Sequence, residues 1–434
     1  MRNFLILFVI VLLIVLFLSC GSSDKSQNVD TRSLSAELEF SEKIVAGGPS
    51  DFMEVRYIML RGSNYEIGKK LAEIASARFE SCPIPYPYQD KTEAQLRYFG
   101  KNYPSFMERM RGVAAAFEKE LQDVSWNFAA LYYGFTLPGS GCSSVFYPPN
   151  TTKDSRGVLS RNFDFTTGTI NGKKPKEGEL SACARPYIIE IHPSVGYASL
   201  VVCSFDLLGG ALDGINSEGL TMAIHSDNDV IEEVGMNPAP GPQEGFNEIQ
   251  IIRYILDTCR DVQEAKEALR QAKLYYNIAP FHYIIADRHG GSFIWENSPT
   301  MDRAYAIDGH NAPLVTTNFL LHRYQDPEQL PGDKFSFGWF NRFREIRQRI
   351  VQHKGKFDKA FIKETNQCVA MEFPIPPEFV NIMEAPTRTL WHALYYPELL
   401  RVELDFYLGE EVDPSAPNGL KIRRSGYHVF SLKR

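Results

Sequence analysis

The chain has 434 residues, 44% of them hydrophobic and 23% charged, with a net charge of −7 at pH 7. That composition is globular, and its acidic balance argues against a nucleic-acid partner. Seven cysteines with no CxxC pair, and no HExxH pattern, suggest neither a disulfide framework nor a metal site.

Arg2 followed by the apolar run from Phe4 to Leu18 reads as a targeting segment, residues 1–19. The run falls short of the roughly 20 residues that span a bilayer, and Ser19-Cys20-Gly21 follows at once. The small residue before Cys20 and the polar "GSSDKSQNVDTRS" after it resemble a bacterial lipoprotein signal, with Phe17 departing from the usual leucine. Such a signal implies lipidation of Cys20, export, and a membrane partner through the anchor on the periplasmic or cell-surface side. A soluble secreted protein and an uncleaved anchor are the alternatives.

Residues 20–52 read as a tether. In 53–141, "MEVRYIMLRG" is a strand and "YEIGKKLAEIASARF" an amphipathic helix with Ile67, Leu71 and Ile74 on one face. Apolar residues from Leu96 to Leu121 then recur every three or four positions, and Gly100 and Pro104 should break that run. From 142 to 434 strands take over. "CSSVFY" and "GVLSRNFDF" flank a turn, then come "PYIIEIH", "YASLVVCSF" and "GLTMAIHSD". Two helices follow, the second with Asp261 as N-cap. "FHYIIADR" and "GSFIWEN" form a hairpin around His289-Gly290-Gly291, "APLVTTNF" is a strand, "FNRFREIRQRIVQ" a helix, and "TLWHALYYP" with "LLRVELDFYLG" a closing hairpin. Strands in blocks and helices in blocks predict an α+β fold of packed antiparallel sheets with helices outside.

Cys142 stands behind Gly139-Ser140-Gly141 at the start of this strand region. A thiol attacks an acyl carbon as thiolate, and its free pKa of about 8.5 demands a base or a positive neighbour. None of the nine histidines sits in a recognisable Cys-His pattern, and His225, His282 and His392 lie within strand patterns. A cut between Gly141 and Cys142 offers another base. The freed α-amino group, with a pKa of about 7.7 to 8.0, can take the thiol proton, and the glycines tolerate a strained approach.

"LRGSNYEIGKKLAE", "GCSSV", "LSRNFDF", "DGINSEGLTMA", "TTNF" and "NRFREI", in that order over about residues 55 to 410, resemble the acyl-coenzyme A:6-aminopenicillanic acid acyltransferase family. They are also similar to the choloylglycine (bile-salt) hydrolases. Both are N-terminal-nucleophile hydrolases, so the resemblance implies a four-layer αββα sandwich, self-cleavage before the nucleophile, and attack on linear amides through an acyl-enzyme without metal or organic cofactor. It makes Cys142 the nucleophile of both reactions. Arg161 and Asp164 line it, Asn318 gives its side-chain amide to the oxyanion, and Arg342 helps hold the geometry. Strict strand alternation puts Arg161 and Asp164 on opposite faces, so a bulge or strand end is needed if both are to point at Cys142. Asn216, in "INSEGL", is better read as a turn residue. Where choloylglycine hydrolases carry an active-site asparagine this chain has Ser226, beside His225 and Asn228, which counts against bile salts.

Taken singly, each residue has a plainer reading as core, strand end or turn chemistry; their ordered co-occurrence favours a site. The expectation is a self-processing amidohydrolase or acyltransferase acting on a small acyl amide, with an α chain of about 20–141 and a β chain of 142–434 that stay associated. A bile-salt-type, N-acyl amino acid or ceramide-like lipid-amide hydrolase of the same superfamily, a non-catalytic substrate-binding surface lipoprotein, and a papain-like peptidase with an essential histidine are its rivals.

Overall fold

The computed structural model describes residues 37–133, 141–169, 174–176, 179–235, 241–298, 303–324, 326, 329–333, 338–373, 384–416 and 419–432. The stretch expected to be a signal segment, the expected lipidation site Cys20, and Gly139 and Ser140 lie outside them.

Strand β1 (Glu39–Gly47) pairs antiparallel with β2 (Glu54–Gly62). β1 falls within the stretch expected to be tether. Its residues from Glu39 to Ile44, with Glu39, Glu42 and Lys43 among them, are exposed and only Ala46 is buried, so it lacks the alternation of a half-buried strand and instead has the charged face of a sheet edge. Helix α1 (Asn64–Phe79) begins where Ser63 Oγ accepts the Glu66 N–H at 3.1 Å, and it buries Ile67, Leu71 and Ile74. A two-residue strand β3 (Ile84–Pro85) precedes α2 (Gln89–Asn102) and α3 (Pro104–Ala116), and pairs with β4 (Trp126–Asn127). The expected break falls at Tyr103, with Pro104 opening α3, while Gly100 stays exposed inside α2. α1 and α3 cross backbone to backbone. A Cβ on Gly68 would lie 2.0 Å from Arg109 O, and one on Gly112 the same distance from Tyr65 O.

The strand block follows as β5 (Gly141–Tyr147), β6 (Val158–Thr166), β7 (Tyr187–Pro193), β8 (Ser199–Cys203), β9 (Ala211–Asn216) and β10 (Thr221–Ser226). Most of these residues are buried on both faces, so their sequences carry little polar alternation. Asn216 closes β9 in the turn role expected of it, its Oδ1 accepting the N–H of Glu218 and of Leu220 at 3.0 Å each. Next come α4 (Asn228–Val234), β11 (Phe246–Asn247), α5 (Gln250–Thr258) and α6 (Val262–Gln271). Asp261 caps α6 through the N–H groups of Gln263 and Glu264. β12 (Leu274–Tyr275) pairs with β11, and β13 (Phe281–Ala286), β14 (Ser292–Ser298), β15 (Arg303–Asp308) and β16 (Leu314–Thr316) follow. The chain continues with α7 (Trp339–Gln352), α8 (Lys359–Gln367), β17 (Thr387–Tyr396), β18 (Arg401–Val412), β19 (Leu420–Arg424) and β20 (His428–Ser431).

Two large sheets result. One runs β1-β2-β7-β8-β9-β10-β13-β14-β15, the other β16-β5-β6-β17-β18, with β19 and β20 both against β18. β2 lies parallel to β7, so the larger sheet is mixed rather than antiparallel throughout. α1 and α5 lie on the larger sheet, with α3 packed on α1; α7 and α8 lie on the smaller one. β5 meets β10 and β14 meets β16 between the sheets, which completes an αββα sandwich.

Candidate active site

The site is organised by the β5–β6 ladder, in which Gly141 pairs with Asp164, Cys142 with Phe163 and Ser144 with Arg161. Paired residues share a face and successive ones alternate. Cys142, Ser144, Arg161 and Phe163 therefore face the space between the sheets, and Gly141, Ser143, Asn162 and Asp164 face the helices. Alternation is obeyed: Arg161 reaches the thiol, and Asp164 does not.

On the inner face, Arg161 Nη2 lies 3.6 Å from Cys142 Sγ and donates to Ile224 O at 2.9 Å. Its Nη1 is hydrogen-bonded to Asp213 of β9, which also accepts from Tyr395 Oη at 2.6 Å and Trp391 Nε1 at 3.2 Å. Arg161 and Asp213 are completely buried. Burial pulls the Arg161 guanidinium below its usual range, and the Asp213 carboxylate supplies the counter-charge beside it. Burial also pushes the Cys142 thiol up, Arg161 and Arg342 pull it down, and the Asp164 charge pushes it up again. The uncut chain thus keeps its thiol protonated at neutral pH.

The outer face holds the nitrogen of Cys142. Asn318, two residues past the end of β16, accepts the Cys142 N–H on Oδ1 at 2.7 Å and Arg342 Nη2 on the same atom at 2.7 Å. Its Nδ2 donates to Ser226 O and Ser226 Oγ, each at 3.0 Å. Two donors on one side and a carbonyl on the other fix the orientation of this amide. Asn318 therefore turns its oxygen to Cys142 and commits its NH₂ to Ser226, which differs from the oxyanion-donor role expected of it. Arg342, from α7, also donates through Nη1 to Asp164 Oδ2 at 2.7 Å and approaches Cys142 O at 3.4 Å. Burial raises the Asp164 carboxyl, and Arg342 opposes that rise. Thr389 Oγ1 completes the ring on Asp164 Oδ1 at 2.6 Å.

A register shift between Thr389 and Trp391 lets these two residues of β17 face opposite ways, one to Asp164 and the other to Asp213. Gly141 is not in the left-handed region; its lack of a side chain serves proximity, since a Cβ there would stand 3.1 Å from Arg342 Nη2. Arg342 also lines an outer groove of about 710 Å³ with Asn341, Gln348, Gln367 and Val369.

Sequence reasoning did not single out Asp213 or Thr389, and it placed His225 and His282 in strands without pairing them behind the thiol strand. His225 Nε2 lies 2.9 Å from Ser144 Oγ and its ring stacks on His282 at 5.1 Å. His282 sits between Asp227 and Thr316 Oγ1. Burial drives His225 well below the usual histidine range; burial also lowers His282, but Asp227 outweighs it and the net movement is upward. The one hydrogen bond to Cys142 Sγ from a described side chain is that of Arg161. Among the described residues, no group of three or more His, Cys, Asp or Glu is arranged to hold a metal ion.

A thiol beside an arginine, on a residue whose backbone nitrogen is held by a side-chain amide, is an arrangement suited to acyl transfer, and comparison with known proteins gives the class. Residues 151–410 match the model of the family described as acyl-coenzyme A:6-aminopenicillanic acid acyl-transferase. That is more than half of the chain, and the chain belongs to this family, whose enzymes act on carbon–nitrogen bonds as amide hydrolases or acyltransferases. Arg161, Asp164, Asn318 and Arg342 lie inside the matched range, and Cys142 lies just ahead of it. Among solved structures, a mutant conjugated bile acid hydrolase from Clostridium perfringens is similar at 17% identity and a TM-score of 0.42, over 68% of this chain and 97% of that one. Penicillin V acylase from Agrobacterium tumefaciens is similar at 14% identity and a TM-score of 0.39, over 66% and 98%. No curated protein matches the chain.

Proposed function

We propose that the protein is an exported, lipid-anchored cysteine amidohydrolase that cuts its own chain between Gly141 and Cys142. The observation that carries this reading is the double hold on Cys142: thiol against Arg161 on one face, backbone nitrogen against Asn318 on the other. In self-cleavage, Cys142 Sγ bonds to the Gly141 carbonyl carbon as the C–N bond to Cys142 breaks and its nitrogen takes the thiol proton. Water then splits the thioester into a Gly141 carboxylate and a free thiol. In turnover the freed α-amino group takes the thiol proton, the thiolate attacks a linear acyl amide, the amine leaves, and water or another amine resolves the thioester. Asn318 and Arg342 orient the α-amino group, and Arg161 stabilises the thiolate.

Hydrolysis is preferred over transfer from acyl-coenzyme A because export, through lipidated Cys20, takes the enzyme away from that donor. The two chains are held by β2 lying beside β7 and by a buried pair across the cut, Arg109 Nη1 to Asp257 Oδ2 at 2.5 Å with Tyr103 Oη on the same oxygen. Intact-mass analysis of the mature protein, with N-terminal sequencing, tests the reading. Two chains, the second beginning at Cys142 and the first carrying lipid on Cys20, are expected. A single uncut chain in an active preparation overturns self-processing.

A further inference from the structure

The chain that leads to the scissile bond is gripped well before it arrives. Residues Ala129 to Tyr133 run along the loop between β8 and β9, where the fully buried Asp206 accepts three backbone N–H groups. Leu131 and Leu208 donate to Oδ1 at 2.6 and 2.8 Å, and Gly209 to Oδ2 at 3.1 Å. Tyr133 N donates to Phe205 O at 2.9 Å and Leu207 N to Leu131 O at 3.3 Å. Gln250 Nε2 holds Ala129 O at 3.1 Å and Ser81 Oγ holds Tyr132 O at 2.7 Å. The loop closes tightly on the carboxylate, since a Cβ on Gly210 would stand 2.6 Å from Asp206 Cβ.

This grip shares a frame with the nucleophile. Phe205 packs on Phe165 at 5.3 Å between ring centroids, Phe165 stacks on Phe163, and Phe163 pairs with Cys142. Residues 134–140 alone separate Tyr133 from Gly141, a reach of at most about 28 Å. Both ends are fixed, one by Asp206 and the other by the pairing of Gly141 with Asp164.

We propose that Asp206 is a positioning residue for self-cleavage: it anchors the arm upstream of Gly141, so that the peptide plane of Gly141 keeps the orientation in which the Cys142 thiol attacks its carbonyl carbon. This rests on the self-processing reading above. Substrate turnover uses neither Gly141 nor that arm, so Asp206 serves the first reaction and not the second. The test follows precursor loss by denaturing electrophoresis, and turnover of an acyl amide per mole of cut chain, in full-length wild type, Asp206→Ala and Asp206→Asn. Cleavage slowed by about 10- to 100-fold in Asp206→Ala, and less in Asp206→Asn, is expected, with kcat per cut chain within about twofold of wild type. Gln250→Ala, which frees Ala129 O and the Asn247 N–H that Gln250 Oε1 accepts while leaving the Asp206 contacts in place, should show a milder defect of the same kind and serves if Asp206→Ala does not fold. Cleavage at the wild-type rate in all three variants overturns the proposal, as does a loss of kcat per cut chain that parallels the loss of cleavage. A wild type that is never cut overturns the self-processing reading itself, whereas a cut wild type with unaffected variants overturns the role of Asp206 alone.

Discussion

The two faces of the β5–β6 ladder use the same residue types for different ends. On the inner face, Arg161 and Asp213 are sealed between the sheets, where the arginine bears on the thiol. On the outer face, Arg342 and Asp164 bear on the backbone nitrogen through Asn318, beside a groove open to solvent. An arginine–aspartate pair deep in a low-dielectric layer sets the charge state of its neighbour, whereas one at the layer's edge mainly sets geometry. The inner pair should therefore govern how easily the thiol ionises, and the outer pair where the new amine stands.

Substitutions can break this division. Cys142→Ala removes what both faces serve: no cut chain by electrophoresis and no detectable amide hydrolysis are expected, while Cys142→Ser should retain slow cutting. Arg161→Met comes next. It leaves Asp213 buried with only Tyr395 and Trp391 to satisfy it, at a cost of about 3–5 kcal/mol in denaturant unfolding. It also moves the thiol pKa up, seen as slower alkylation at fixed pH. Adding Asp213→Asn should restore much of the stability and none of the activity. Asp164→Asn acts directly on the outer face and reaches the thiol only through the loss of its charge. It should slow cutting and turnover by about 10- to 100-fold through misplacement of Arg342 and Asn318. Because the Asp164 charge raises the Cys142 pKa, its loss should shift alkylation towards lower pH, opposite in sign to Arg161→Met.

The smallest effect concerns Asp206, outside both faces, whose carboxyl burial pushes up to about 6. A folded-state pKa above the unfolded value of about 3.9 means that its contribution to stability is full below pH 4 and lost as pH rises through 6. Calorimetry of wild type against Asp206→Asn at pH 4 and 7 should show the wild type's relative stability falling by on the order of 1–3 kcal/mol towards neutrality. A difference that is flat with pH would contradict this.

Much of the ladder was legible because it is local. Cys142 and the Arg161–Asp164 stretch lie on adjacent strands joined by a turn, and period two already separated Arg161 from Asp164. Asp213, Thr389 and the His225–His282 pair were not legible, since each meets its partner across a long stretch of sequence and shows locally as one more residue of an apolar strand. The orientation of Asn318 escaped for a related reason: Arg342 on α7 and Ser226 on another sheet, both far from it in sequence or in the fold, decide which end of the amide faces Cys142. β1 escaped because a charged edge strand looks like linker until its partner is known.

The parallel pairing of β2 with β7 has a thermodynamic consequence. Those strands lie on opposite sides of the proposed cut, so the uncut chain folds as a unimolecular process and the cut enzyme cannot. Its unfolding separates two polypeptides, so its midpoint should rise with protein concentration, while that of Cys142→Ala should not. On the proposed cut, dilute refolding of the two-chain enzyme would be a second-order search, with the leader in the position of a subunit acquired at birth and replaced only by new synthesis.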